Sequence, residues 1–215
     1  MKYTIITAAL LLAGATGVAG AQSSVRLQLE PGSYLTFTGT STLHGFTCKT
    51  EKIEAYIDVD PAYRIKQLTE VPHPIVTTRV VIPVKSLKCG EGKLESNMYG
   101  TLKADQNPTI EYVLSSYEMV NGSTTASGFG ANTTGKLTVA GTSNTVNMTI
   151  SARRGEDGSA SATGSYALKM TDFGIKPPKF MFGTLKVGND VAIKFNLKAS
   201  ARAVAALEAG MLAER

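Results

Sequence analysis

Between Ser33 and Lys198 the chain repeats one pattern, short runs in which apolar side chains take every second position. Successive side chains of a strand point to opposite faces, so this period of two marks half-buried β-strands and excludes a mainly helical fold. Ser33, Leu35 and Phe37 oppose Tyr34, Thr36 and Thr38; Ala55, Ile57 and Val59 oppose Tyr56, Asp58 and Asp60. Val80, Ile82 and Val84 oppose Arg79, Val81 and Pro83, and further faces follow at Ile110 to Leu114, Leu137 and Val139, Val146 to Ile150, and Tyr166 to Met170. The last run is the most regular, with Val191, Ile193, Phe195 and Leu197 against Ala192, Lys194, Asn196 and Lys198. Gly141-Thr142-Ser143-Asn144 reads as the turn of a hairpin. About eight antiparallel strands on short turns match a closed all-β barrel able to hold one small ligand, with a two-sheet sandwich as the competing architecture. Asn121 to Thr134, rich in Gly, Ser and Thr, reads as a flexible loop.

Helical spacing is scarce. Leu94, Met98 and Leu102 predict one short helix just after Cys89, and Ala199 to Arg215 is alanine-rich with Val204, Leu207 and Met211 on one stripe. That tail reads either as a C-terminal helix docked on the barrel or as a fraying terminus.

The opening MKYTIITAALLLAGATGVAGA has a basic start at Lys2, an apolar centre from Ile5 to Ala13 and a small-x-small site at Ala19-Gly20-Ala21. This is the pattern of a secretory signal peptide cleaved near Ala21. Its apolar run is too short for the roughly 20 residues that span a bilayer. The expected organisation is residues 1–21 as signal peptide, 22–198 as one barrel domain and 199–215 as the tail, and the expected location is periplasmic or secreted in a bacterium. Removing the leader takes away Lys2 alone among charged residues, so the net charge of +5 falls by one. The remaining basic residues are scattered without aromatic interleaving, which excludes a nucleic-acid footprint. No stable membrane insertion is expected.

The chain has two cysteines and two histidines. In an oxidising compartment Cys48 and Cys89 are expected to pair, and closing so long a loop stabilises a fold by about 4 kcal/mol in the chain-entropy model. Free thiols are the alternative, because sequence sets no distance between them.

Five segments in order resemble the successive motifs of the YceI-like family: GTSTLHGF (39–46), VIPVKSLKCG (81–90), MYGTLKADQNPTIEY (98–112), GKLTVAG (135–141), and MTDFGIKPP with GTLKVGNDVAIKFNL (within 170–197). The likeness spans nearly all of the chain beyond the leader. It implies an exported, lipocalin-like, eight-stranded antiparallel barrel whose apolar tunnel holds a polyisoprenoid, quinone-like or fatty-acid-derived chain, with no catalytic activity. Members of the family often carry an acidic residue and an aromatic after the histidine, where this chain has Gly45 and Phe46, and many lack the cysteines, which makes the Cys48 and Cys89 pair a subgroup feature.

Catalytic and metal chemistry find little support in the residues. A zinc site needs at least three protein ligands, and beside carboxylates His44 and Cys48 have only His73 and Cys89 to call on. A Cys48–His44 nucleophile would need an unpaired thiolate and an orienting third group, and Ser41 lacks a G-x-S-x-G context. The expectation is a non-enzyme with no catalytic residue, no metal and no cofactor other than a bound lipid. His44 and Gly45 are read as a structural turn, with the imidazole hydrogen-bonded to a neighbouring backbone or hydroxyl group. The expected tunnel lining is Leu35, Phe37, Leu137, Val139, Met170, Phe173, Phe180, Ile193 and Phe195. Alternation alone serves equally a hollow tunnel or a filled core, and the resemblance favours the tunnel. Met170 to Ile175 and the following Pro177-Pro178 break the strand pattern and read as a lid near one mouth, with Phe173, Phe180, Met181 and Phe182 as its apolar side chains. The expected partner is a hydrophobic lipid. The alternative function is a non-catalytic envelope stress or interaction protein with a filled core, and neither a monomer nor a dimer is specified.

Overall fold

The computed structural model describes residues 24–201. The expected signal peptide and all but the first residues of the expected C-terminal helix lie outside the described residues. The strands are β1 (Val25–Leu29), β2 (Tyr34–Thr40), β3 (Gly45–Thr50), β4 (Glu54–Val59), β5 (Ile75–Pro83), β6 (Thr109–Met119), β7 (Gly128–Val139), β8 (Thr142–Arg154), β9 (Ala160–Lys169), β10 (Lys179–Phe180), β11 (Leu185–Lys186) and β12 (Asp190–Ser200). One α-helix, α1 (Gly92–Thr101), interrupts them between β5 and β6.

Eight strands close a ring in the order β1-β4-β5-β6-β7-β8-β9-β12, and β12 returns to β1. Every ladder is antiparallel. Closure leaves the ring without a free edge, which satisfies the backbone donors and acceptors that an open sheet would expose. The barrel expected from the alternation is therefore the fold, and the sandwich is not.

One edge of β12 is shared by two strands. Ser200 and Ala199 pair with Gln28 and Leu29 of β1, while Asn196 to Ala192 pair with Tyr34 to Thr38 of β2. Between them Pro31-Gly32 turns the chain, with Gly32 at φ 86°. The buried Ser33 hydroxyl donates to the Glu30 carbonyl at 2.9 Å and accepts the Lys198 N–H at 3.0 Å. From this point the wall forks: β4 continues beside β1, but among the described residues β3 ladders only with β2 and reaches the chain after β5 through the Lys49–Lys88 bridge and a 2.8 Å hydrogen bond between the Thr50 and Ser86 hydroxyls. The fork is closed by the Cys48–Cys89 disulfide, which spans 41 positions, and by α1 beyond it. A carboxylate oxygen of Glu95 in α1 accepts the Cys89 N–H at 3.0 Å, and Tyr99 Oη donates to the Leu87 carbonyl at 2.7 Å.

Three expectations need correction. The stretch read as a loop, Asn121 to Thr134, is a loop only as far as Ser127; from Gly128 it is β7, with Phe129, Ala131 and Thr133 buried. Small residues there satisfy the tight inner face of a barrel, and Thr133 Oγ1 donates to the Met148 carbonyl at 3.0 Å. The β7–β8 turn is Ala140-Gly141, at φ 49° and 82°, and Thr142 to Asn144 already belong to β8. Two residues with positive φ form the tight hairpin loop whose twist suits the flanking strands. Finally, Ala199 and Ser200, placed in the tail by their alanine-rich context, complete β12 by pairing with β1. β1 itself, VRLQL, carries the same alternation and was not among the expected strands.

Candidate functional site: an apolar lumen

The inward faces of the strands enclose a cavity of about 320 Å³. That lies within the roughly 300–1,000 Å³ of small-molecule sites, so the barrel is hollow and not filled by its own side chains. All nine side chains expected on a tunnel wall border this cavity. Leu35 and Phe37 come from β2, Leu137 and Val139 from β7, and Ile193 and Phe195 from β12, while Met170, Phe173 and Phe180 come from the segment between β9 and β11. Pairing brings them together: Ile193 lies opposite Phe37 and Phe195 opposite Leu35. The lining also takes residues outside the expected set, chiefly Leu27 of β1, Phe46 of β3, Phe129 of β7 and Leu94 and Met98 of α1. The i, i+4 spacing of Leu94 and Met98 was legible as a helix stripe, but what the stripe faces depends on the fork between β3 and β4. Among the described residues Arg153 is the one charged residue bordering the cavity.

Three glycines explain how aromatic side chains line this wall without filling it. A Cβ on Gly164 would come within 2.5 Å of Cζ of Phe195, its cross-strand partner, and one on Gly39 would come as close to Phe46, also directly opposite. Gly135 is covered in the same way by the Tyr112 ring. Each ring therefore lies against bare backbone, which keeps its thickness out of the lumen.

The two ends of the lumen differ. At one end Leu27, Tyr63, Leu68, Phe129 and Ala199 form a cluster, each less than 5 % exposed. The chain from Asp60 to Pro74 crosses this end as two short 3-10 turns. Asp60 caps the first by accepting the Ala62 N–H at 2.7 Å, and the Leu68 N–H donates to the Ala126 carbonyl at 3.2 Å. The Arg154 guanidinium donates to the Tyr63 and Lys66 carbonyls, tying the crossing to β8. Burial pushes the Tyr63 phenol up to about 12, although the nearby Arg154 charge opposes the shift.

At the other end Phe173 and Ile175 pack under the β7–β8 hairpin with Leu137 and Val139. The segment expected as a lid splits in its behaviour: Phe173 is buried, Phe180 is half-buried against the lumen, and Phe182 is fully exposed at the tip between β10 and β11. His44 stands in the adjacent β2–β3 turn. Its Nδ1 donates to the Gly45 carbonyl at 2.8 Å, but the ring is exposed, not buried. The turn is held chiefly by Ser41, whose hydroxyl donates to the His44 carbonyl at 2.9 Å and accepts the His44 N–H at 3.2 Å. Gly45 has no positive φ, so its role there is not conformational. Cys48 is consumed in the disulfide, and the exposed His73 stacks edge-on to Tyr117 at 6.2 Å.

The outer wall is polar and charge-paired. Asp58 accepts both Arg26 Nε and Nη2, at 2.7 and 2.8 Å, and this hydrogen bond holds its carboxyl below the usual carboxylate range. Arg79 meets Glu111 at 2.5 Å, and Arg26 and Arg79 each lie 5.8 Å from the Tyr56 ring centre. No helix among the described residues is long and apolar enough to cross a membrane.

The family model for the YceI-like domain matches residues 18–199. The chain belongs to the YceI-like family. Solved structures repeat the barrel at low identity. BcnA of Burkholderia cenocepacia aligns with a TM-score of 0.61 at 20 % identity, over 78 % of this chain and 96 % of its own. A polyisoprenoid-binding domain from Saccharophagus degradans, implicated in plant cell wall breakdown, aligns with a TM-score of 0.61 at 13 % identity over 83 % and 99 %. The YceI protein of Campylobacter jejuni aligns with a TM-score of 0.55 at 18 % identity, covering 72 % and 84 %. No curated protein matches the chain.

Proposed function

We propose that this protein is an exported carrier that holds a long hydrophobic chain in its lumen by apolar burial, without covalent chemistry. The observation that carries this reading is a hollow interior of about 320 Å³ with Arg153 as the one charged residue on its wall among the described residues. In such a space each buried methylene of a ligand gains about 0.8 kcal/mol, so an extended alkyl or isoprenoid chain accumulates affinity in proportion to the length inserted. A polyisoprenoid, a quinone tail or a fatty-acid-derived chain meets this requirement, and family membership together with the polyisoprenoid-binding neighbour supports the first. Leu35, Phe37, Ile193 and Phe195 would grip the chain along the wall, with Leu137, Val139, Met170, Phe173 and Phe180 around the end near the β10–β11 hairpin. Export is supported by the disulfide, since such a bond persists in an oxidising compartment.

Native mass spectrometry of protein purified from its own cell, followed by organic extraction, tests the reading. The expected result is an extractable adduct with a long apolar chain. A ligand-free protein that also fails to take up polyprenol, quinone or fatty acid after delipidation would overturn it, and would leave the envelope interaction role as the better account.

A further inference from the structure

The β10–β11 hairpin has two sides with opposite demands. Phe180 and Val187 border the lumen, whereas Phe182 at the tip stands fully in solvent. Phe182 also takes φ 54° and ψ 29°, a left-handed conformation that is costly for a bulky side chain. The neighbouring β2–β3 turn presents Leu43, 72 % exposed. The two elements form one hydrogen-bonded unit: the Thr42 N–H donates to the Lys186 carbonyl at 2.9 Å, Thr42 Oγ1 donates to the Thr184 carbonyl at 3.2 Å, and the Gly188 N–H donates to the Thr40 carbonyl at 2.8 Å. Two large apolar side chains therefore project from the same edge of the barrel, beside the lumen wall.

Within the hairpin segment charge has one sign, with Asp172 and the Lys169-paired Asp190 lying just beyond it. Residues 174–189 hold Lys176, Lys179 and Lys186, all exposed, and no carboxylate; residues 39–47 hold none either. Among the described residues none of these lysines takes part in an ion pair. Lys179 and Lys186 lie directly opposite each other in the hairpin ladder, a like-charge pairing that costs stability. An anionic surface against the hairpin would relieve that repulsion while giving Phe182 and Leu43 an apolar phase to enter. Aromatic and aliphatic side chains ringed by lysines are the composition of an interfacial anchor.

We propose that this edge is a peripheral docking surface for an anionic lipid bilayer, on which the protein loads or releases the chain carried in its lumen. The inference rests on the carrier reading given above. Docking through two side chains and three charges is reversible and requires no inserted segment.

Co-sedimentation of the disulfide-bonded protein with large vesicles tests it, using phosphatidylcholine alone and phosphatidylcholine mixed with phosphatidylglycerol. Binding is expected on the phosphatidylglycerol vesicles and is expected to weaken as salt rises. Lys176→Gln/Lys179→Gln/Lys186→Gln should lower the partition coefficient on the order of 100-fold. Leu43→Ser/Phe182→Ser should lower it by roughly tenfold or more. The charge-matched control Lys52→Gln/Lys66→Gln/Lys136→Gln, which alters exposed residues elsewhere, should retain binding. Equal loss in that control, or wild-type binding indifferent to phosphatidylglycerol, overturns the proposal. A dimer in light scattering that Phe182→Ser dissolves also overturns it, in favour of a second copy of this chain on the same edge. Native mass spectrometry of the same variants reads lumen occupancy separately, so a failed docking surface and an empty lumen give different results.

Discussion

Where the segment carrying Tyr63 and Leu68 crosses the barrel, β1 is hydrogen-bonded to β4 on one side and β12 on the other, and Leu27, Tyr63, Leu68, Phe129 and Ala199 pack into one buried cluster that floors the lumen. At the opposite end β3 leans away with β2, no ladder joins it to β4 among the described residues, and a disulfide and one helix close the fork. The first end is held by the usual cooperation of sheet closure and close packing. The second is held by discrete fasteners: Cys48–Cys89, the Glu95 carboxylate on the Cys89 N–H, and the Thr42 contacts to the β10–β11 hairpin. Local opening draws on the regions with the fewest buried apolar contacts, and here that is the fork between β3 and β4, which lies outside both buried clusters.

The contrast can be broken most strongly at the disulfide. Cys48→Ser/Cys89→Ser is expected to cost about 4 kcal/mol, read as a lower midpoint of thermal unfolding. Hydrogen exchange of the folded variant should accelerate in β3 and α1 while the amides around Phe129 keep their protection; equal acceleration at both ends would show that they are not energetically separate.

Next in size, Leu68→Ala in the buried cluster should cost about 3 kcal/mol, since the side chain is 1 % exposed and its truncation enlarges the cavity where packing is closest. Phe195→Ala on the lumen wall should cost about 1.5 kcal/mol, because the ring already borders open space and little new cavity forms. Urea denaturation of the two variants decides this, and equal losses would mean that the Phe195 ring is packed as tightly as the Leu68 cluster.

Gly164→Val sharpens the comparison from the lumen side. The added side chain displaces the Phe195 ring from the wall, which is expected to cost about 2 kcal/mol and to reduce ligand occupancy in native mass spectra. Gly164→Val/Phe195→Ala should recover much of that occupancy; no recovery would show that the ring does not set the calibre of the lumen.

The smallest effect concerns protonation. The Cys89 N–H, and after it Lys88, hold the Glu95 carboxyl below its ordinary value. A carboxylate with a lowered folded-state value stabilises the fold above the unfolded value of about 4.3 and loses that contribution as pH falls through the folded one. The Cys89 amide resonance should therefore titrate with a midpoint below about 4.3, and Glu95→Gln should abolish the transition.

Much of the wall was legible because a strand's period is local. Leu35 and Phe37, or Ile193 and Phe195, announce their common face within a few residues, whatever the rest of the chain does. Loop composition misled at Gly128 to Thr134, because Gly, Ala and Thr mark both a flexible segment and the crowded inner face of a barrel, and only the pairing with β8 distinguishes them. The tail was misread at Ala199 and Ser200 for a related reason: two residues are too few to show a period, and their place is set by Leu29 and Gln28, far away in sequence. His44 has the hydrogen-bonded turn expected of it, but exposure depends on what lies above the turn, which no local pattern encodes.

The sequence by itself determined an all-β chain with one short helix, a set of inward faces dominated by apolar side chains, a cysteine pair able to bridge, and membership of the YceI-like family. These are properties of alternation, residue chemistry and ordered motifs, all of which are local or additive along the chain. Only the tertiary structure decided that the interior is open, that the wall forks between β3 and β4, and that Phe182 and Leu43 share an edge with three lysines. Those outcomes depend on which strands become neighbours and on glycines meeting rings across a ladder. Gly164 meets the Phe195 ring only when β9 pairs with β12, and Gly135 meets the Tyr112 ring only when β6 pairs with β7.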